Sequence, residues 1–374
     1  MLLADERRVL ARVRILFVTQ YGVLAASSRT RVFQYLPYLK ELGAECRVLT
    51  VLPDITGSQL LVTSQSWRKL LYYVWASWRT FFCGIGAFWI ARKSDLVLIQ
   101  KVILPAPLRW LFAHCPTPLV YDFDDAIFTT EVRRQNWLAS WKERRNSIGV
   151  PAMLRLCSLA LLENDYTASF AARHCPRIDQ ITGPIDTDHY CPGPQKHRRE
   201  VVLGWIGSAS TSAYLDLVRE PLKELARRLP QVRLCIVGAE QIEVQDIATE
   251  AKPWQIESEV EDLQNFDIGL MPMPDDPWTR GKGGYKLLQY MAVGLPVLTS
   301  PVGINQQIVE DGCQGFWART SEEWLARLEE LVIDGELRRR MGREGRRRVE
   351  AVYALKVQQV RLGQLFQELI EGAE

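Results

Sequence analysis

The chain has 374 residues, of which 47% are hydrophobic and 24% charged, and its formal net charge is +2. That length suits two domains that each bury their own core, and the composition is that of an ordinary globular protein. A net charge so close to zero gives no support to nucleic acid as a partner, so we expect none.

The eight cysteines and four histidines show no metal-binding or redox spacing. The cysteines contain no C-x-x-C pair, and no two histidines stand at a ligand spacing. We therefore expect a reducing compartment with neither a disulfide framework nor a zinc site. Residues 1–18 place charges where a signal peptide needs its apolar run, which favours a cytoplasmic location.

Short β-branched runs alternate with helical patterns in the N-terminal half. Strands are predicted at 13–18, 46–51, 95–99, 118–121 and 178–182. Between the first two, apolar residues recur at helical spacing; Pro37 predicts a kink in that helix, and Gly43 predicts its end. Strands that alternate with helices predict a parallel sheet with helices on both faces.

Residues 70–91 form a long apolar and aromatic segment with one charge, Arg79, near its middle. A central arginine opposes membrane insertion by about 2.5–3.5 kcal/mol, so a spanning helix is not expected. Two interpretations stay open: a pair of buried or half-buried helices, or a patch that rests on the bilayer with its Trp and Tyr side chains at the headgroups. The second makes 67–93 the candidate for peripheral contact with the inner face of the membrane.

The pattern breaks at 183–199, where prolines, glycines and charges indicate a linker, and then resumes. Strands are predicted at 201–206, 232–237, 266–271 and 295–299, and helices at 212–229, 284–293, 321–333 and 355–370. The expected fold is α/β, with Rossmann-like domains at 1–190 and 191–354 facing a central cleft, and a helix at 355–374 that packs back toward the first domain. Ligands bind at the carboxyl ends of such sheets.

A glycine-rich turn opens the helix predicted at 284–293. Gly283 and Gly284 lie where the free N–H groups of a helix N-terminus can hold a phosphate, and Lys282 and Lys286 add positive charge. Such a site would bind a diphosphate and stabilise it as a leaving group. The alternative is a solvated glycine turn with two surface lysines.

Two segments of the first domain carry candidate polar groups. Gly22, Arg29 and Arg31 follow the first strand, where the arginines are either ligand contacts or ordinary surface charges. Asp122, Asp124 and Asp125 end the fourth predicted strand. Three carboxylates within four residues could hold Mg²⁺, but Asp122 and Asp124 share one face of a strand while Asp125 points away. A capping role, an acceptor-facing role and a metal site all stay open.

Several segments resemble one family. The run KLLQYMAVGLPVLTSPVG (286–303) resembles the donor-site signature of glycosyltransferase family 4, retaining enzymes of the GT-B fold. TRVFQYLPYLKELG (30–43), VYDFDDAIF (120–128), GPIDTDHYCP (183–192) and MGREGRRRVEAVYAL (341–355) resemble further motifs of that family. The matches lie in order over about 12–357.

The resemblance implies transfer of a sugar from a nucleoside-diphosphate sugar to a glycan or lipid-linked saccharide, with no cofactor and no metal. It makes 1–190 the acceptor domain and 191–354 the donor domain. The catalytic candidates are Asp124 and Lys286. The expected donor-binding residues are Gly22, Gly207, Ser208, Trp254, Lys282, Gly283, Gly284, Tyr285 and Gln289, and the expected acceptor-binding residues are Arg29, Arg31 and Asp122.

The sequence also departs from the family pattern. Two glutamates common in relatives are replaced by Gly281 and Gln289; Gln289 can still form hydrogen bonds but brings no charge. GWIGSASTSAYL (204–215) replaces the usual Arg and Lys, and its serines are either donor contacts or helix caps. Trp254 either stacks on the nucleotide base or packs in a core. Two other functions stay open: a binding-only partner subunit with a degenerate donor site, and a sugar-nucleotide epimerase of the same fold.

Overall fold

The computed structural model describes residues 10, 12–54, 66–129, 137–194, 198–239 and 246–372. The chain forms two compact units: unit 1 is Met1–Pro184 with Gln358–Glu374, and unit 2 is Ile185–Val357. The sequence placed these divisions at 190/191 and 354/355. Most of the segment searched for an export signal and residues 195–197 of the expected linker lie outside the described residues.

Unit 1 contains a six-stranded parallel sheet in the order β2-β1-β3-β4-β5-β6. Its strands are β1 (Arg14–Thr19), β2 (Glu45–Thr50), β3 (Leu96–Gln100), β4 (Leu119–Asp122), β5 (Leu159–Leu162) and β6 (Ile178–Gln180). The five strands predicted for this half are all present. The strand missed by the sequence analysis is β5, a four-residue apolar run.

Six helices of unit 1 connect these strands. They are α1 (Ala26–Arg31), α2 (Leu36–Glu41), α3 (Ser66–Ala91), α4 (Ala106–Ala113), α5 (Trp137–Leu154) and α6 (Asp165–Ala171). The helix expected to kink at Pro37 is interrupted: α1 ends at Arg31, a 3₁₀ turn follows, and Pro37 lies in the first turn of α2. Proline fits there because the first helical N–H groups have no partner inside the helix.

Residues 70–91 belong to one continuous helix, α3, so the interpretation as a pair of buried or half-buried helices is wrong in the number of helices. Arg79 does not interrupt the helix, because its Nε donates to the Val51 carbonyl at 2.8 Å. The side chain of Trp75 is 36% exposed and that of Trp78 64% exposed, so neither packs in a core. No helix in the described part of the chain is both long and apolar enough to cross a membrane.

Unit 2 contains a second six-stranded parallel sheet, in the order β12-β11-β10-β7-β8-β9. Its strands are β7 (Val201–Ile206), β8 (Val232–Val237), β9 (Ala248–Lys252), β10 (Ile268–Met271), β11 (Val297–Thr299) and β12 (Gly315–Trp317). The four predicted strands are present, whereas β9 and β12, at the two edges, were missed.

The helices around the second sheet are α7 (Arg219–Arg228), preceded by a 3₁₀ turn, α8 (Glu259–Gln264), α9 (Pro277–Arg280), α10 (Tyr285–Ala292), α11 (Asn305–Ile308), α12 (Ser321–Ile333) and α13 (Gly335–Arg348). The helices predicted at 212–229, 284–293 and 321–333 are present, whereas the short helices α8, α9 and α11 were not predicted. The last helix, α14 (Leu355–Glu371), lies mostly in unit 1, where its Phe366 ring is 6.4 Å from that of Phe17.

Candidate active site

In unit 2, the glycine-rich turn ends in a well-defined helix start. Gly284 has φ +68°, in the left-handed region that favours glycine, and a Cβ there would lie 2.5 Å from Cδ1 of Ile308. Helix α10 begins at the next residue, and no side chain caps its first N–H groups. The N-terminal end of a helix carries a partial positive charge, so this uncapped end of α10 suits an anion.

Lys286, in the first turn of α10, places its ammonium against β7. Its Nζ is 4.1 Å from the ring centroid of Trp205 and 3.5 Å from Oγ1 of Thr211. A Cβ on Gly207 would come within 2.3 Å of this Nζ, so glycine is needed there for the close approach. Burial, with a smaller effect of Lys282, lowers the pKa of Lys286 to about 7. No carboxylate of the described residues compensates that charge, so a bound anion would stabilise it.

The other predicted residues of this turn have local partners. Lys282 lies over the Trp278 ring, with its Nζ 4.8 Å from the centroid, and Tyr285 packs on the apolar core. Ser208 is exposed, and its Oγ is 2.7 Å from Oγ of Ser210. Gly283 is half-buried beside the helix start. The turn therefore presents two lysines near one helix N-terminus that no side chain caps.

Gln289 and Trp254 both contact a residue that the sequence analysis missed, Glu259. Nε2 of Gln289 and Nε1 of Trp254 donate to Oε1 of Glu259 at 2.9 and 3.0 Å, and the Tyr190 hydroxyl donates to Oε2 at 2.6 Å. Glu259 is 5% exposed and Gln289 4% exposed, whereas Trp254 is 37% exposed. Trp254 is thus not a core tryptophan, and part of its indole faces solvent.

In unit 1, two of the predicted acceptor-binding residues are internal. Arg31 and Asp122 are 3% and 1% exposed, and the guanidinium pairs with Asp122 and, at 3.2 Å, with Glu163. The direct acceptor role predicted for Arg31 and Asp122 is corrected: both side chains are buried, and their charges pair with each other inside the protein. Burial raises the pKa of Glu163 to about 8, against the attraction of Arg31.

Asp124, the predicted catalytic carboxylate, pairs with Lys101. The Lys101 ammonium contacts Asp124 and lies 3.0 Å from Asp125, and its backbone N–H donates to the Asp122 carbonyl at 2.8 Å. Lys101 has φ +59°, an uncommon conformation for a residue with a side chain. Burial lowers the pKa of Lys101, but the two aspartates raise it more, so the net shift is upward. The positive charge of Lys101 thus offsets part of the negative charge of Asp124 and Asp125.

Gly22 and Arg29 lie beside the first strand. A Cβ on Gly22 would come within 2.3 Å of Oδ2 of Asp54, so glycine permits this contact. Arg29 is half-buried, and its Nη1 donates to the Leu24 carbonyl at 3.3 Å. Among the described residues, no group of three His, Cys, Asp or Glu side chains could hold a metal ion.

Sequence reasoning missed Lys101, Glu163 and Glu259. Lys101 and Glu163 each directly follow a strand, β3 and β5, so their place at the carboxyl ends of neighbouring strands was the available signal. Glu163 could be recognised in this way only if β5 had been predicted, and it was not. Glu259 begins a short helix, where an acid has an ordinary explanation in the helix dipole, and nothing local marks it as buried.

Residues 193–348 match the family model described as glycosyl transferases, group 1. No curated protein matches the chain. Among solved structures, sucrose-phosphate synthase from Thermosynechococcus elongatus is 14% identical with a TM-score of 0.72, over 96% of this chain and 100% of that one.

Two further structures are similar over both chains. Anabaena Alr3699/HepE, solved with UDP and glucose, is 16% identical with a TM-score of 0.65 and covers 95% of this chain and 99% of its own. WaaG, a glycosyltransferase involved in lipopolysaccharide biosynthesis, is 15% identical with a TM-score of 0.65, and the match covers 94% of this chain and 99% of WaaG. Residues 193–348 therefore match the family model of the group 1 glycosyl transferases, and the chain as a whole has the GT-B fold.

Proposed function

We propose that this protein transfers a sugar from a nucleoside-diphosphate sugar to a glycan or lipid-linked saccharide, with retention of anomeric configuration. The observation that carries the proposal is the ammonium of Lys286, which no carboxylate of the described residues compensates, beside the uncapped N-terminus of α10. These groups lie within the segment that matches the group 1 family. A structurally similar protein, Alr3699/HepE, has been solved with UDP-glucose, which supports a nucleotide-sugar donor.

The donor diphosphate would bind where several kinds of positive group converge. The backbone N–H groups of α10 and the Lys286 ammonium would contact its oxygens, with Lys282 adding charge. These groups are fixed before the reaction, so they stabilise the charge that develops on the departing diphosphate. This arrangement needs no metal ion and no cofactor, and the nucleotide sugar is a co-substrate.

In the proposed reaction, the bond from the sugar C1 to the diphosphate oxygen breaks, and a bond from C1 to the acceptor oxygen forms on the same face. The acceptor proton passes to an oxygen of the departing phosphate, which balances the charge. Asp124 would orient the acceptor hydroxyl, and its contact with the Lys101 ammonium holds its carboxylate in place. Arg29 of unit 1 would also contact the acceptor.

We further propose that α3 rests on a membrane surface and brings a lipid-linked acceptor to unit 1. Seven large apolar side chains of this helix are exposed: Leu71, Val74, Trp75, Trp78, Phe81, Phe82 and Trp89. The residues from 55 to 94 contain no acid and five basic side chains, so the segment suits an anionic surface.

Binding and product analysis test the proposed function. UDP, GDP and their sugars are screened by thermal shift, and the donor that raises the melting temperature is incubated with lipid-linked and soluble saccharide acceptors. The expected product is an α- or β-glycoside of the donor's own anomeric configuration, seen by NMR. Donor binding without transfer would instead indicate a binding-only subunit, and an epimerised donor formed without acceptor would indicate an epimerase.

A further inference from the structure

A half-buried arginine of helix α5, Arg145, pairs with no carboxylate of the described residues. Burial lowers the pKa of its guanidinium, and the phenols of Tyr121 and Tyr73 partly oppose that shift. Removing an arginine from water without a counter-charge costs folding free energy, and ionisable groups held in this way are frequent at binding sites.

The two phenols belong to different elements, so they locate the guanidinium in the fold. Tyr121 lies on β4, Tyr73 on α3 and Arg145 on α5. Burial raises the pKa of both tyrosines, and in each the charge of Arg145 opposes the shift. The guanidinium therefore acts on both hydroxyls, at the place where α3, α5 and β4 meet.

Hydrogen-bond donors are left unused at this place. The side chain of Tyr121 is fully buried, and its hydroxyl has no hydrogen-bond partner among the described residues. A guanidinium carries five N–H donors and accepts no hydrogen bond, and a phenol can donate one. Together these groups suit a ligand with several negatively charged oxygens. A phosphate group has that form, and arginine binds it through two parallel hydrogen bonds.

Helix α5 connects the two parts of unit 1 that the proposed function assigns to the acceptor. Its Trp141 ring lies 6.1 Å from the ring of Tyr73 on α3, the helix proposed to rest on the membrane. Its Asn146 donates Nδ2 to the Ile127 carbonyl at 2.8 Å, in the acidic turn that contains Asp124. The arginine stands between these two contacts along α5. A lipid-linked saccharide has a matching order, because a phosphate joins its lipid to its sugar.

We propose that Arg145, together with the hydroxyls of Tyr73 and Tyr121, binds the phosphate or diphosphate group that joins lipid and saccharide in a lipid-linked acceptor. The proposal deepens the proposed function and rests on it. It predicts that the protein distinguishes a lipid with a terminal phosphate from an ordinary anionic phospholipid. A basic residue that is attracted only to negative charge would not make that distinction.

Vesicle binding tests the phosphate contact directly and needs no sugar donor. Neutral vesicles carry polyprenyl phosphate, polyprenyl diphosphate or phosphatidylglycerol, at equal zeta potential. The wild type should bind one of the two polyprenyl lipids about tenfold or more tightly than phosphatidylglycerol, as expected for a hydrogen bond to a charged group. A terminal phosphate exposes three oxygens, whereas the phosphate of phosphatidylglycerol lies between two ester bonds. Arg145→Gln should lose this preference.

Two further variants serve as comparisons. Arg144→Gln removes the same charge from the neighbouring, exposed position of α5, so it should weaken binding to all anionic vesicles alike and keep the preference. Tyr121→Phe removes only a hydroxyl that has no partner among the described residues. This variant should keep the melting temperature of the wild type and reduce the preference about three- to tenfold.

Each outcome decides the matter. Equal binding of the wild type to all three kinds of vesicle overturns the proposal, whether or not the variants fold. Folded Arg145→Gln protein that keeps the preference also overturns it, and if that variant does not fold, Tyr121→Phe decides by the same criterion. Failure of the proposed function is a separate result, because it appears as a wild type that binds neither UDP nor GDP, whatever its preference among lipids.

Discussion

At the scale of single residues, Lys286 is the most informative side chain. A lysine exposed to water is ordinarily charged at neutral pH, but burial against Trp205 and the charge of Lys282 lower the pKa of Lys286 to about 7. Near neutral pH, the empty site would therefore hold a mixture of ammonium and amine. A diphosphate favours the ammonium, so donor binding should be accompanied by proton uptake.

This coupling predicts how affinity depends on pH. Below pH 7 the ammonium is already present, and affinity should be nearly constant. As pH rises above 7 the empty protein loses the proton while the complex keeps it, so affinity should fall, by up to about tenfold for each pH unit. Calorimetry in two buffers of different ionisation enthalpy measures the proton uptake directly. Constant affinity from pH 6 to pH 9 would contradict the role of Lys286.

Substitution gives the matched comparison. Lys286→Ala should weaken donor binding by about 1.5–3 kcal/mol, the range for a charge-assisted hydrogen bond, and should abolish the pH dependence. Lys282→Ala should weaken binding less, because its ammonium lies over the Trp278 ring. The sequence predicted Gln289 and Trp254 separately as donor-binding residues, and it missed Glu259, their shared partner, because the burial of Glu259 arises from tertiary contacts.

At the scale of elements, the carboxyl ends of β3 and β4 form one acidic turn with a lysine in it. Lys101 directly follows β3, and its ammonium contacts Asp124 and Asp125, which follow β4. The single positive charge of Lys101 thus offsets part of the negative charge of the two carboxylates. Sequence periodicity places Asp124 and Asp125 on opposite faces of a strand, but β4 ends at Asp122, so that argument does not apply to this turn.

The turn allows a prediction about metal ions. Donor binding by the wild type should survive excess EDTA, and Mg²⁺ should not raise its melting temperature. Lys101→Met removes the ammonium that contacts the carboxylates of Asp124 and Asp125. Mg²⁺ should then bind to these carboxylates and raise the melting temperature of the variant. Lys356→Met, a change at an exposed lysine, is the control. Loss of donor binding with EDTA in the wild type, restored by Mg²⁺, would show that a metal takes part.

The elements differ in how well sequence could predict them. β7 and β8 are six-residue runs rich in β-branched or aliphatic side chains, and their bounds were predicted to the residue. β9, ATEAK, carries polar and charged side chains because it is an edge strand, so it lacks the apolar signal of a buried strand. β5, LALL, is an apolar run too short to distinguish from part of a helix.

At the scale of the whole molecule, charge and apolar surface are unevenly distributed. The net charge is only +2, yet residues 55–121 contain seven basic side chains and one acid, Asp95, which pairs with Arg14. Ten of the seventeen exposed large hydrophobic side chains in the described residues lie on α3, α4 and α5 of unit 1. The sequence suggested such a surface for 67–93. The exposed Trp110, Trp141 and Ile148 lie on other helices of the same unit, and the Trp141 ring is 6.1 Å from that of Tyr73 on α3.

Such a surface predicts that the protein binds anionic membranes. Each basic side chain near anionic lipid contributes about 1 kcal/mol, and exposed indoles gain by entering the headgroup region. Vesicles with anionic lipid should therefore co-sediment the protein at low salt, and binding should weaken as salt rises. Trp75→Ser with Trp78→Ser should reduce binding at least about tenfold, because apolar area is lost from the contact.

Two controls distinguish binding through this surface from nonspecific adsorption to vesicles. Ile333→Ser removes a side chain that is 71% exposed in unit 2, so it should leave vesicle binding unchanged. Vesicles of neutral lipid should bind the wild type more weakly, because the basic residues then gain nothing. Folded wild-type protein that stays in the supernatant with anionic vesicles at low salt would refute the membrane contact. The exposed aromatic side chains of α3 would then require a protein partner, since apolar surface of this extent is costly to leave in water.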